Sequence, residues 1–265
     1  MTKSNNNIST FLYLVMLFIF VGGCKKKEEE PPADEKTYGN IVLQFKHFVG
    51  DSALVYSSKE YINVLGQPYS VSKLKYYVSN IKLVKPAGGK TEVSGYYLLE
   101  HSNTSTSNIY IGSVATGTYV GVEFNIGVDS TTTVSGNHTG ALSHTNGMFW
   151  NSTDGFIFLK MEGSSVESPT GNFQFDIGGY SAPVNNFKKI IPPFNGKTIE
   201  VQKEHTSYVN FKTDLAEILS NPYSINFYYT YNILAPNGDS QKIAKNYMDK
   251  FSVMSVINLY FVVTR

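Results

Sequence analysis

Four side chains that can hold a metal ion or exchange electrons with one fall between positions 138 and 150: His138, His144, Met148 and Trp150. They lie in a Gly-, Ser- and Asn-rich run that precedes a strongly apolar segment, so the residues that carry them read as a loop. A loop can bring two imidazoles six residues apart onto one ion, although no helical or strand period fixes that spacing. Two solvated loop histidines are the alternative reading. Imidazoles without thiolates suit copper or zinc better than the oxygen-preferring calcium and magnesium. His47 continues the face of Ile41, Leu43 and Phe45, which reads first as a hydrogen-bonded core or rim histidine and second as a further ligand. His101 and His205 sit beside Glu100 and Glu204 and read as exposed.

Other chemistry is sparse. The single cysteine, Cys24, excludes an intrachain disulfide, a CxxC redox pair and a cysteine-based zinc site. No GxSxG elbow, P-loop, GxGxxG or HExxH motif is present. The expectation is a protein that is not an enzyme. Lys+Arg 22 against Asp+Glu 21 leaves a net charge of +1, which excludes a generally basic nucleic-acid binder.

The elements that must position these residues are strands. Of the aromatics, 19 are Tyr and 17 are Phe against one Trp, a composition that suits half-buried pleated surfaces. In 118–126, Val120, Val122, Phe124 and Ile126 share one face. In 155–163, Ile157, Leu159 and Met161 oppose Phe156, Phe158, Lys160 and Glu162. Further strands are expected at 73–84, 96–100, 172–178, 198–201, 208–211, 223–231 and 253–263, with turns at Gly88-Gly89, Gly178-Gly179, Pro192-Pro193 and Asn237-Gly238. Two short helices are expected at 213–219 and 242–250. The fold class is all-β: a mostly antiparallel β-sandwich over residues 38–265 with one or two short helices near the C-terminal part.

Ahead of that domain, Lys3 precedes an apolar run from Phe11 to Val21 that is too short to span a bilayer, for which about 20 residues are needed. The sequence Val21-Gly22-Gly23-Cys24 resembles the lipobox of bacterial lipoproteins, in which the peptide is cut before a cysteine that is then lipidated. Residues 1–23 therefore read as a signal peptide. Residues 24–37 read as the lipidated cysteine and a charged, disordered tether. The resemblance implies attachment to a membrane through lipid at the cell envelope, on the outer membrane, either facing the periplasm or exposed.

Several blocks then resemble the MbnP-like copper-binding protein family. Val71 to Leu83 looks like its "lkYYiSnikL" strand, and Tyr119 to Ser130 resembles its "Y..i.F.iGVDS" segment. Gly140-Ala-Leu, Asn146 to Trp150 and Gly155 to Gly163 are similar to its "GaLdp.nGMfWtWnsGYif.KlEG". Phe173 to Gly179 looks like "f.yHiGG". The resemblance implies a secreted or lipid-anchored β-sandwich that binds copper through two histidines and a tryptophan oxidised to kynurenine by a partner dihaem enzyme. Carried over, the metal residues are His138, His144, Asp176 and Trp150, with His47 as the further candidate. Three positions depart from the pattern. Ser152 replaces the second tryptophan, Asp176 replaces the histidine of "yHiGG", and His144 stands where aspartate is usual. Exchanging a soft imidazole for a hard carboxylate weakens Cu(I) most, which points to Cu(II). An adhesion or binding module that keeps the scaffold without metal is the alternative function.

The lipobox reading has a direct check. Cys24→Ala should leave the precursor uncut or release it into soluble fractions, followed by fatty-acid labelling. Unchanged lipid labelling of that variant would refute the anchor.

Overall fold

The structure is a computed structural model that describes residues 36–136 and 138–259. Cys24, the expected signal peptide and most of the expected tether lie outside the described residues. One compact unit contains Lys36–Arg265. Strand β1 (Tyr38–Val49) alternates strictly, burying Ile41, Leu43, Phe45, His47 and Val49 while the intervening residues face outward. It is followed by β2 (Pro68–Val84), β3 (Lys90–Glu100), β4 (Asn108–Ala115) and β5 (Gly121–Ile126). After the segment that carries the candidate site come β6 (Phe149–Asn151), β7 (Gly155–Ser164), β8 (Asn172–Gly178) and β9 (Lys188–Ile190). The chain then adds β10 (Thr206–Asp214), β11 (Asn232–Ile233) and β12 (Phe251–Asn258). Among the described residues three α-helices are interspersed: α1 (Ser130–Ser135), α2 (Leu215–Ile218) and α3 (Gly238–Asn246).

The main strands form two sheets. One runs β12-β10-β1 with β4 on the outer edge of β1, and the other runs β9-β5-β2-β7-β8-β11 with β3 on β2 and β6 on β7. Most pairs are antiparallel, but β1 and β10 run parallel, as do β8 and β11. The sheets meet through rings. Phe45 of β1 stacks on Phe211 of β10 at 5.1 Å and meets Phe124 of β5 edge-on at 5.5 Å, with Tyr76 of β2 at 6.4 Å. Each such pair adds about 0.5–1.5 kcal/mol beyond its buried area, so the all-β sandwich owes its inner layer to aromatic geometry.

The 17-residue β2 organises the larger sheet. One of its edges pairs with β7 from Ser70 to Tyr76 and with β5 from Val78 to Val84. Asn80 has φ 50° at a bulge, a left-handed conformation that asparagine tolerates better than other non-glycine residues. Ser79 Oγ donates to the Gly127 carbonyl at 2.8 Å, and the Gly127 amide donates to the Tyr77 carbonyl at 3.1 Å.

Several expected elements differ from the structure. Residues 223–231 do not form a strand. Ile225 and Phe227 are buried, but Asn226 turns the chain by accepting from the Tyr228 amide at 2.9 Å, and Tyr228 and Tyr229 are left exposed. Aromatic density without an alternating period was the misleading signal. The strand expected at 253–263 begins earlier, at Phe251, and runs to Asn258, and positions 260–263 of that expectation lie outside the described residues. Both expected C-terminal helices form: α2 is capped by Asp214, and α3 is capped by a reciprocal Asn237–Ser240 box. Strand β4 and helix α1 were not expected from the sequence.

Gly127 has φ 117°, and a Cβ placed there would lie 2.6 Å from the Phe158 ring. Gly127→Ala should therefore cost about 2–4 kcal/mol by urea unfolding, combining backbone strain with overpacking. Gly136→Ala, with φ 73° and open space around its Cβ position, should cost only about 1–2 kcal/mol. Equal costs at the two positions would show that the Phe158 contact contributes nothing.

Candidate metal centre

The segment between β5 and β7 is built from its N-terminal cap onward. Asp129 caps α1, its Oδ1 accepting from the Thr132 amide at 2.9 Å, and its other oxygen accepts from the Tyr96 hydroxyl. These hydrogen bonds outweigh the desolvation that opposes them and hold the Asp129 carboxyl below its usual range. Helix α1 ends at Gly136, and its Thr132 carbonyl lies 3.1 Å from His138 Nε2. A carbonyl can only accept, so Nε2 carries the proton and His138 Nδ1 presents its lone pair. That Nδ1 faces His144 Nε2 at 2.8 Å.

His144 is held from the other side. Its ring stacks on Phe149 at 3.8 Å with planes 4° apart, and His138 meets Phe156 edge-on at 4.8 Å. The connecting turn is fixed by Asn146 Nδ2, which donates to the Gly140 and Ala141 carbonyls at 3.0 and 2.9 Å. Tyr77 Oη also donates to the Ala141 carbonyl, at 2.9 Å. Leu142 and Met148 are buried and pin the turn to the sheet, so Met148 serves the core. The two loop histidines thus form an ordered pair, with His144 exposed at the surface.

The remaining candidates are divided among other contacts. The Trp150 ring packs against Gly178, where an added Cβ would come within 2.5 Å of it. Phe149, next along the chain, is the ring that stacks on His144. Asp176 lies on the same face of β8 as Gly178. It is 3% exposed, with one carboxylate oxygen 2.7 Å from Lys160 Nζ and the other 3.0 Å from Gln174 Nε2. Among the described residues, no group of three or more His, Cys, Asp or Glu side chains is placed to hold one metal ion. The expected set of His138, His144 and Asp176 is therefore not one cluster. The carboxylate neutralises a buried ammonium, a partnership that spacing along the chain does not reveal.

His47 stands apart from this loop. It is buried, with Nε2 3.0 Å from Tyr76 Oη and Nδ1 3.1 Å from His101 Nδ1. Burial, and then the neighbouring His101, push its pKa down to about 3, so the ring is neutral. His101 is half-buried rather than exposed as expected, and burial lowers its pKa as well. His205 is also partly buried, with Nδ1 2.6 Å from the Lys203 carbonyl oxygen.

With the geometry established, likeness to known proteins can be stated. The family model MbnP matches residues 38–235. The solved structure of MbnP from Methylosinus trichosporium aligns with a TM-score of 0.45 at 14% identity, covering 68% of this chain and 76% of that one. No curated protein matches the chain in sequence.

The Lys160–Asp176 pair predicts a specific energetic pattern. Asp176→Leu should destabilise the fold by about 3 kcal/mol, because it leaves the buried Lys160 ammonium with only the more distant Glu162 carboxylate, 3.9 Å away. Adding Lys160→Met should recover most of that loss in urea unfolding. Additive losses in the double variant would show that the two charges are not coupled.

Proposed function

The chain belongs to the MbnP family, and on that premise we propose that it is a lipid-anchored protein of the cell envelope that binds copper for sequestration or delivery. The observation that supports this reading is the His138–His144 pair. Its nitrogens face each other at 2.8 Å, while the other nitrogen of His138 is fixed on the Thr132 carbonyl. Metal-binding imidazoles usually donate their second ring N–H to such an acceptor, which sets the tautomer and aims the ligating lone pair. Two imidazoles beside apolar rings fit a soft ion of low charge. His138 Nδ1 and His144 Nε2 would hold it, and bound copper would supply one-electron redox chemistry. Asp176 is engaged by Lys160, and among the described residues no carboxylate completes a three-ligand group with the pair, which favours Cu(I) over Cu(II).

The protein acts by binding rather than turnover, and its partner is the membrane it is attached to through lipid. A dihaem oxidase would be a partner if Trp150 were its substrate, as the family resemblance implies. The Trp150 ring packed over Gly178 is the group that such an enzyme would have to reach.

Titration of the full chain with Cu(I) under a competing chelator tests the reading. His138→Ala and His144→Ala should each weaken one bound equivalent at least tenfold, and Cu(II) should bind that site more weakly than Cu(I). If both variants keep wild-type stoichiometry and affinity, the pair is not a copper site. The scaffold then stands as a non-metal binding module.

A further inference from the structure

A second pair of imidazoles lies away from the loop, between β1 and the end of β3. His47 Nδ1 and His101 Nδ1 face each other at 3.1 Å. Each ring has a further polar contact. His47 Nε2 is 3.0 Å from Tyr76 Oη, which in turn lies 3.4 Å from Thr213 Oγ1, and the His101 ring hydrogen-bonds to the Leu54 backbone. We propose that His47 and His101 form a second metal site, a two-coordinate bis-imidazole clamp for a soft monovalent cation such as Ag(I) or Cu(I).

The hydrogen bonds allow both nitrogens to become ligands together. Two facing Nδ1 atoms need one proton between them as long as no ion is present. Moving that proton to His47 Nε2, where it donates to Tyr76 Oη, leaves two lone pairs pointing at one space. Tyr76 Oη then turns its own hydrogen to Thr213 Oγ1. His47 then has the outer partner that metal-bound histidines require, and the Leu54 backbone contact steadies the His101 ring.

Distance and charge select the ion. Metal–imidazole bonds are about 2.0–2.1 Å, so an ion held in line needs nitrogens about 4 Å apart, roughly 1 Å wider than the 3.1 Å contact. His47 is fixed inside the sandwich, whereas His101 is half-buried at the turn after β3 and is the ring that can swing. The surroundings are aromatic: the Tyr56 ring lies 4.6 Å from His101 and the Tyr76 ring 5.6 Å from His47. Among the described residues no third His, Cys, Asp or Glu joins the pair, so nothing would balance a divalent charge. Soft d10 monovalent ions accept two nitrogens in line. A surface groove of about 250 Å³ lined by Gln44, Lys46, His101 and Thr104 gives access to the pair.

The inference does not depend on the His138–His144 pair, and Ag(I) titration of the full chain separates the two. In a His138→Ala, His144→Ala background, one Ag(I) equivalent should remain, and adding His101→Ala should remove it or weaken it at least tenfold. Circular dichroism melting confirms that the triple variant is folded. In the wild type, which needs no substitution, the ¹⁵Nδ1 resonances of both His47 and His101 should shift on Ag(I) addition. Nδ1 resonances that stay fixed at saturating Ag(I) would overturn the clamp. A folded triple variant that keeps the equivalent would overturn it as well.

Discussion

Along one edge, β2 is paired with β7 as far as Tyr76 and with β5 from Val78 onward, so the two partner strands part at Tyr77. Backbone groups at that parting have to be satisfied, and the Gly127 amide supplies the bond to the Tyr77 carbonyl. The segment between β5 and β7 must therefore leave the sheet there and return to it. Most of what positions the loop histidines follows from this departure. Gly127 permits the close pass under Phe158, Asp129 starts α1, and Thr132 at the end of that short chain of contacts orients His138. Tyr77 itself projects out of the gap and takes hold of the returning loop at Ala141.

The two histidine pairs show the same chemistry in different settings. In each, one ring is tied at its far nitrogen, so its near nitrogen is aimed before any ion arrives. Pre-aiming removes rotamer entropy that binding would otherwise cost, about 0.5–1.5 kcal/mol per side chain. The settings differ in access. His144 is exposed and shielded mainly by Phe149, whereas His47 is buried between the sheets and reached only past His101. The loop pair is thus open to solvent, and the inner pair is largely enclosed.

The β-rich class and many strand positions were legible because alternation along β1 and β5 carries a period of two that helices do not share. Residues 223–231 misled because their aromatics supply apolar density without that period, and Asn226 decides the turn through its side chain. The loop pair was visible as residue types but not as a contact, since six residues of loop fix no distance. His101 was harder to read. Its neighbour Glu100 suggests a solvated position, but Glu100 lies 3.2 Å from Lys75, and the histidine turns inward to His47. Parallel pairing of β1 with β10 joins residues far apart in sequence, and local pattern has no access to such a contact.

Asp176 shows how one substitution redistributes a site. At that position a neutral imidazole could not balance Lys160, whose side chain is only 11% exposed, whereas a carboxylate 2.7 Å away does so directly. The ion pair then consumes one oxygen, and Gln174 takes the other. Withdrawing that carboxylate from the pair would leave the ammonium with Glu162 alone, 3.9 Å away. Of the five imidazoles, four face one another in two pairs, His47–His101 and His138–His144, while His205 turns to the Lys203 carbonyl.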